Sequence, residues 1–288
     1  MLTARAALAV GVINGILYAV GGDDCYPDIA CPTDQVEAYD PVTNTWTTKT
    51  PMPTGRGEVA SGVINGILYV IGGISANGYL LDTVEAYNPA TDSWATKTSM
   101  PKERAFLAAG VIGGILYAVG GVDCTNYPAC STKDTLFAYD PATDAWTEKA
   151  SMRRARKNLA VGVINGILYV VGGNNYRGLA NTVQAYDPAT NSWTARASLP
   201  RPREGVGVEV INGRLLAVGG CRDRDCRYPM KTVEAYDPAT NNWTAKAPLP
   251  TARGFLAVGV VGGILYAVGG SGNNMGNPWN KVEAFTPQ

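Results

Sequence analysis

The sequence predicts an all-β propeller of six blades, of four antiparallel strands each except a sixth expected to have three, forming one domain over 1–288. Three observations carry this. A glycine pair closes an apolar run six times, at Gly21-Gly22, Gly72-Gly73, Gly120-Gly121, Gly172-Gly173, Gly219-Gly220 and Gly269-Gly270. The intervals are 51, 48, 52, 47 and 50 residues, a period that suits stacked supersecondary units. Tyr39, Tyr87, Tyr139, Tyr186 and Tyr236 each precede a tryptophan by seven residues. The blades fall near 1–52, 53–100, 101–152, 153–200, 201–250 and 251–288.

Each unit reads as the same four elements. Strand a is a run rich in Ala, Gly and Val, such as Leu8 to Ile13. A tight turn follows, Asn14-Gly15, Asn65-Gly66, Gly113-Gly114, Asn165-Gly166, Asn212-Gly213 or Gly262-Gly263, all of which tolerate the positive φ of a two-residue hairpin. Strand b, Ile16 to Val20 and its copies, is apolar almost throughout, as a strand buried on both faces must be. Strand c begins at Val36 and its copies and ends in an Asp-Pro-x-Thr turn, where proline presets φ. Strand d opens on Trp46, Trp94, Trp146, Trp193 or Trp243.

A glycine pair after an apolar strand, then a tyrosine, then a tryptophan at fixed distance, resembles the kelch repeat. The resemblance covers essentially the whole chain. It implies four-stranded blades around a central channel, with the glycine pairs, tyrosines and tryptophans as packing residues. The sixth unit departs from the pattern: it reaches Phe285 and Pro287 without a fourth strand, and Met1 to Arg5 aligns with the loop after strand d. Blade 6 is therefore expected to have three strands, to continue in a longer chain, or to pair its open strand c edge with a neighbouring molecule.

Length variation is confined to one place. Tryptophan to the next arginine is always ten residues, and arginine to the next glycine pair always sixteen, whereas the loops between strands b and c hold 13, 10, 14, 9, 12 and 11. Antiparallel succession puts these b–c loops on the same face as the d–a loops, opposite the short turns. A rigid scaffold with variable loops on one face is the usual plan of a binding surface. Every d–a loop delivers an arginine there, Arg5, Arg56, Arg104, Arg156, Arg203 and Arg253, and every b–c loop an aromatic, Tyr26, Tyr79, Tyr127, Tyr176, Tyr228 and Trp279. Both residue types are enriched at interface hot spots and suit sugar rings and carboxylates. These twelve are the candidate binding residues, with packing inside the blade as the rival role for each arginine.

The six cysteines fall in pairs within the b–c loops of blades 1, 3 and 5: Cys25/Cys31, Cys124/Cys130 and Cys221/Cys226. Alternate blades do not touch, and a bridge needs Cα atoms within roughly 7 Å, so three local disulfides are expected and, with them, an extracellular or cell-surface setting. The amino-terminal MLTARAALAV reads as the start of a repeat and not as a signal peptide.

Composition removes several function classes. Lys plus Arg and Asp plus Glu are 24 each, so no global field favours nucleic acid, and no apolar run is long enough for membrane insertion by a helix. There is no histidine, which removes imidazole triads and the copper chemistry of some kelch enzymes. No cofactor or metal is expected; the acidic loop with Asp23, Asp24, Asp28 and Asp34 lacks calcium-loop spacing. The leading expectation is a non-enzymatic module recognising a protein or carbohydrate ligand. Two alternatives remain: a structural unit of a larger surface protein that self-associates at the blade 6 edge, or an epimerase- or lyase-like enzyme using Glu58, Glu204 or Glu209 as base. Glu209 replaces the strand a glycine of the other blades, and an ion pair with Arg214 is its expected structural role.

Overall fold

Asn14 and Gly15 both have positive φ, 51° and 80°, the pairing that bends an a–b hairpin with the twist of its strands. The same turn recurs in every blade. The computed structural model describes residues 1–24, 31–126, 129–272 and 278–286. Within them, five sheets have the order a-b-c-d and the sixth the order a-b-c. Blade 1 comprises Ala9–Ile13, Ile16–Val20, Val36–Asp40 and Thr45–Lys49; blade 6 comprises Ala257–Val261, Ile264–Val268 and Val282–Phe285. Within the described residues blade 6 has three strands, an arrangement that all three expectations for it share.

The registers repeat. Strands c and d pair so that tyrosine faces tryptophan, Tyr39 opposite Trp46 and Tyr236 opposite Trp243, with ring centroids 5.0 and 5.2 Å apart. The apolar core lies between blades rather than within them. Val36, Ala38 and Met52 of blade 1 pack on Leu68, Val70 and Tyr87 of blade 2. The last such layer joins Tyr266 and Val268 of blade 6 to Leu17, Ala19 and Tyr39 of blade 1, so the ring closes. Leu17, Leu68, Leu116, Leu168, Leu215 and Leu265 are fully buried, each contributing about 2 kcal/mol. Strand a carries glycine because blades approach closely there: a Cβ on Gly11 would lie 2.5 Å from Leu68 Cδ1.

A second closure runs around the channel mouth. The residues two positions after each arginine are Ala7, Glu58, Phe106, Asn158, Gly205 and Phe255, all with φ between 53° and 57°. Each donates its amide to the carbonyl of its counterpart in the preceding blade, at 2.9–3.1 Å, and Ala7 donates to Phe255. Six backbone hydrogen bonds thus form an unbroken hoop that includes the three-stranded blade.

Candidate functional site at the channel mouth

The six arginines do not form part of the exposed face. Arg5, Arg56, Arg203 and Arg253 are completely inaccessible, and Arg104 and Arg156 nearly so. The guanidinium groups of Arg5, Arg156, Arg203 and Arg253 fold under the glycine pair of their own blade, and that of Arg56 donates to the Val70 carbonyl of strand b at 3.1 Å. Arg5 Nη1 donates to the carbonyls of Gly21 and Gln35, both at 2.9 Å, and Arg203 and Arg253 reach Gly219 and Gly269 at 3.0 Å. The expectation that these residues bind a partner is corrected by their burial: the planar donor fork satisfies carbonyls at the end of strand b that would otherwise be orphaned.

Four of the arginines also meet a glutamate at the second position of strand c. Arg5–Glu37 is 3.2 Å, Arg56–Glu85 3.1 Å and Arg253–Glu283 2.8 Å, and Arg203 bonds Glu234. The glutamate also grips the incoming d–a loop. Glu37 accepts the amides of Leu2 and Thr3, and Glu85 the hydroxyl of Thr54. Blades 3 and 4 lack the glutamate. In blade 3 Phe137 lies beneath Arg104, whose charge faces Asp123 at 3.9 Å. In blade 4 Gln184 takes the place, Arg156 Nη2 has no hydrogen-bond partner, and burial pushes the Arg156 pKa down to about 10.

The loop aromatics divide. Tyr79, Tyr176 and Tyr228 are 68%, 77% and 55% exposed. Trp279 is half-buried between Arg253 and Lys281, with cation–ring distances of 5.3 and 4.9 Å, and packs on Gly272; it is a structural residue rather than a surface one. Tyr26 and Tyr127 lie outside the described residues.

Two cysteine bridges form as expected, Cys124–Cys130 and Cys221–Cys226, with Cα separations of 4.1 and 4.9 Å. Cys31 is disulfide-bonded, and Cys25 lies outside the described residues. Cys221 and Cys226 are wholly buried beside Phe255, so this bridge anchors the blade 5 loop against the channel mouth.

That anchoring shapes a cavity of about 800 Å³ above blades 3 to 5, lined by Glu58, Phe106, Lys157, Asn158, Tyr176 and Arg224 among others. The hoop supplies Glu58, Phe106 and Asn158, whose positive φ turns them toward the mouth. Lys157 follows the buried Arg156 and stacks on Phe106 at 4.9 Å. Arg224, from the blade 5 loop, donates to the Asn175 carbonyl at 2.6 Å and so ties that loop to blade 4. Tyr176 stands at the rim, its hydroxyl accepting from Arg177 Nε at 2.9 Å.

Three carboxylates sit at or under this mouth. Burial holds the Glu58 pKa well above the usual carboxylate range, and the charges of Asp23 and Glu204 push the same way against Lys157. Asp23 is raised to about 6, chiefly by burial and then by Asp24. Glu204 is fully buried; it accepts from Asn158 Nδ2 at 2.6 Å and from Asn174 Nδ2. Burial raises its pKa despite those bonds and Lys157. Glu209 lies deeper, in the apolar channel among the strand a valines, where burial raises it to about 7. It pairs with Leu216 across the hairpin, and Arg214 bonds Asp237 at 3.2 Å, so the expected Glu209–Arg214 pair does not form.

The site thus offers two cations, amides and rings, with carboxyl groups held toward neutrality: a surface for a polar or anionic group. Sequence reading missed Lys157, Asn158, Asn174 and Arg224. A signal existed: the residue after each arginine is small in four blades, Ala6, Gly57, Ala105 and Gly254, but charged at Lys157 and Glu204.

Comparisons with known proteins agree with this architecture. The model of the KLHDC2/KLHL20/DRC7 Kelch-repeats domain matches residues 7–195 and 134–270. Kelch-like protein 35 of Homo sapiens is 46% identical over 169 residues, covering 59% of this chain and 27% of that protein. Its Mus musculus counterpart is 32% identical over 166 residues, covering 58% and 26%. Kelch-like ECH-associated protein 1B of Danio rerio is 39% identical over 69 residues, covering 24% and 12%. The chain therefore spans about a quarter or less of the length of these curated relatives. The solved structure of YjhT superposes with a TM-score of 0.83 at 18% identity, over 99% of this chain and 95% of that one, a likeness of fold. With its repeat, its ring of blades and these matches, the chain belongs to the kelch-repeat family.

Proposed function

We propose that the propeller is a non-enzymatic binding module that holds a protein partner on the b–c/d–a face, with a polar or acidic side chain of that partner entering the cavity at the channel mouth. The observation that carries this reading is the 800 Å³ cavity with Lys157, Asn158 and Arg224 in its wall and exposed Tyr176 at its rim. Concave sites with a few convergent polar groups are where ligands seat, and rigid aromatic anchors dominate interface energetics. An acidic carbohydrate suits the same chemistry, since its carboxylate and hydroxyls match cations and amides. The two bridges in the loops that frame the face support an extracellular or cell-surface setting.

The test is a peptide-display library and a glycan array screened with the whole chain. Peptide ligands lost on Tyr176→Ala and on Lys157→Ala, at unchanged melting temperature, support the reading. Ligands indifferent to both changes, or lost on changes confined to the opposite turn face, contradict it.

One observation favours a second reading. Glu58, with its raised pKa, and Arg224 line the same cavity, the pairing of carboxylate and arginine that an epimerase- or lyase-like site requires. Turnover of a sugar acid abolished by Glu58→Gln would establish catalysis over binding.

A further inference from the structure

Blade 4 holds a charge imbalance that the other blades lack. Arg5, Arg56, Arg104, Arg203 and Arg253 each meet a carboxylate, from Glu37, Glu85, Asp123, Glu234 and Glu283. Arg156, 1% exposed, meets none among the described residues. Its Nη1 donates to the carbonyls of Gly172 and Thr182 at 3.1 and 2.9 Å, but its Nη2 is buried without a partner. Gln184, in the place of the glutamate, accepts the Arg153 amide at 3.0 Å. It holds the incoming loop and leaves the guanidinium charge uncompensated.

The same loop adds further cations. The third and second residues before each arginine are Leu2-Thr3, Pro53-Thr54, Pro101-Lys102, Pro200-Arg201 and Pro250-Thr251 in the other blades, but Arg153-Arg154 here. The facing b–c hairpin, which pairs Asn174 with Leu179 and Asn175 with Gly178, carries Arg177 at its tip. Asn175 Nδ2 donates to the Ala155 carbonyl at 3.1 Å and fixes the hairpin to the loop. Exposed Arg153, Arg154 and Arg177 and buried Arg156 all line one cavity of about 550 Å³. Among the described residues no carboxylate stands in its wall. Asn175 and Tyr176 border both this cavity and the one at the channel mouth. Like charges gathered against a poorly solvated wall repel one another: burial, and then the charge of Arg154, lower the Arg156 pKa. An anion in the cavity relieves that repulsion.

We propose that this cavity in blade 4 binds the sulfate groups of a sulfated saccharide. A sulfate ester offers more acceptor oxygens than a carboxylate does, enough for several planar guanidinium forks at once. The cavity is far larger than one oxyanion and has the size of a small-molecule site. The ring of Tyr176 at its edge, 77% exposed, is apolar area on which a sugar face can lie. The bridged loops of blades 3 and 5 on either side support a ligand met outside the cytoplasm. Arg153, Arg154 and Arg177 take the sulfate oxygens, and the charge of Arg156 lies behind them. The ligand supplies the negative charge that the strand c glutamate supplies in blades 1, 2, 5 and 6. This site does not depend on a partner at the channel mouth.

The probe is a fully sulfated heparin disaccharide, titrated into the whole chain by calorimetry beside its unsulfated counterpart and sucrose phosphate. Saturable binding of the sulfated sugar alone is expected. Arg154→Gln and Arg177→Gln, both at exposed positions, each weaken it by about tenfold at unchanged melting temperature. Gln184→Glu weakens it by about three- to tenfold, because the new carboxylate compensates Arg156; a merely basic surface would not register that change. Arg201→Gln, at the position in blade 5 equivalent to Arg154, leaves binding unchanged, as does Lys157→Ala in the channel-mouth cavity. No binding, equal binding of the unsulfated sugar, or tighter binding of sucrose phosphate overturns the proposal. So does indifference to Gln184→Glu, or an equal loss on Arg201→Gln. A loss on Lys157→Ala without one on Arg154→Gln also overturns it, since that assigns the saccharide to the channel mouth. None of these results decides whether a protein partner binds there.

Discussion

Arg5 and Glu37 sit 3.2 Å apart with neither side chain accessible to water, and the glutamate simultaneously holds the amides of Leu2 and Thr3. This pairing explains why an arginine recurs at fixed distance from both tryptophan and glycine pair. It fastens the segment entering a blade to that blade's strands b and c. An ion in this position is tolerated because carbonyls and a carboxylate together replace its hydration.

Breaking one member of such a pair strands the other. Arg56→Ala is expected to cost about 3–5 kcal/mol in denaturant unfolding, whereas Tyr79→Ala stays within about 0.5 kcal/mol because Tyr79 is exposed. Equal effects would show that the arginine is not the fastener.

Blade 4 offers the reverse experiment. Gln184→Glu places a carboxylate where Arg156 has an unpartnered Nη2, and gains about 1–2 kcal/mol at pH 7. The new acid's pKa is depressed by the arginine, so the gain is present above its unfolded value near 4.3 and is lost as pH falls through the folded one. A gain that persisted in acid would point to packing instead.

Glu209 gives the opposite slope. Its pKa of about 7 lies above the unfolded value, so the folded state favours the protonated form. Stability falls as pH rises from about 4.3 to 7 and levels off beyond. Glu209→Gln removes this slope and raises the melting temperature more at pH 8 than at pH 5.

The hoop at the channel mouth predicts unequal effects at equivalent positions. Gly205→Ala is destabilising by about 1–3 kcal/mol, because φ is 57° and a Cβ would meet Phe255 N at 2.9 Å. Ala7→Gly relieves the same strain at φ 53° and is neutral to stabilising by about 1 kcal/mol.

The two short bridges differ in consequence rather than in size. Their cysteines are 6 and 5 positions apart in sequence, and each bridge stabilises by about 2 kcal/mol. Cys221→Ser with Cys226→Ser also frees the loop carrying Arg224, so a ligand of the cavity is weakened; replacing Cys124 and Cys130 leaves Arg224 in place.

The fold was legible because its signals are local and repeated six times. Asn-Gly turns, glycine pairs and the tyrosine-to-tryptophan spacing fix strands, registers and blade count, and variable length marks one loop class. The site was legible in its face but not in its residues. Arginine after a d–a loop looks like a surface residue in one dimension; its partner in four blades is the strand c glutamate about thirty residues on, a recurrence visible as Glu37, Glu85, Glu234 and Glu283. Lys157 and Arg224 come from different blades, and no spacing rule joins them. The hydrogen-bond hoop depends on backbone dihedrals at six unlike residues, Ala7, Glu58, Phe106, Asn158, Gly205 and Phe255, which no side-chain pattern announces.

Hydrogen exchange of the chain with a selected ligand bound reads out whether a partner seats in the cavity over blades 3 to 5. Slowed exchange is expected at residues 156–158, 174–178 and 222–226, with the Asp-Pro turns at 40–44 and 187–191 unchanged. Protection confined to those turns would place the partner on the opposite face instead.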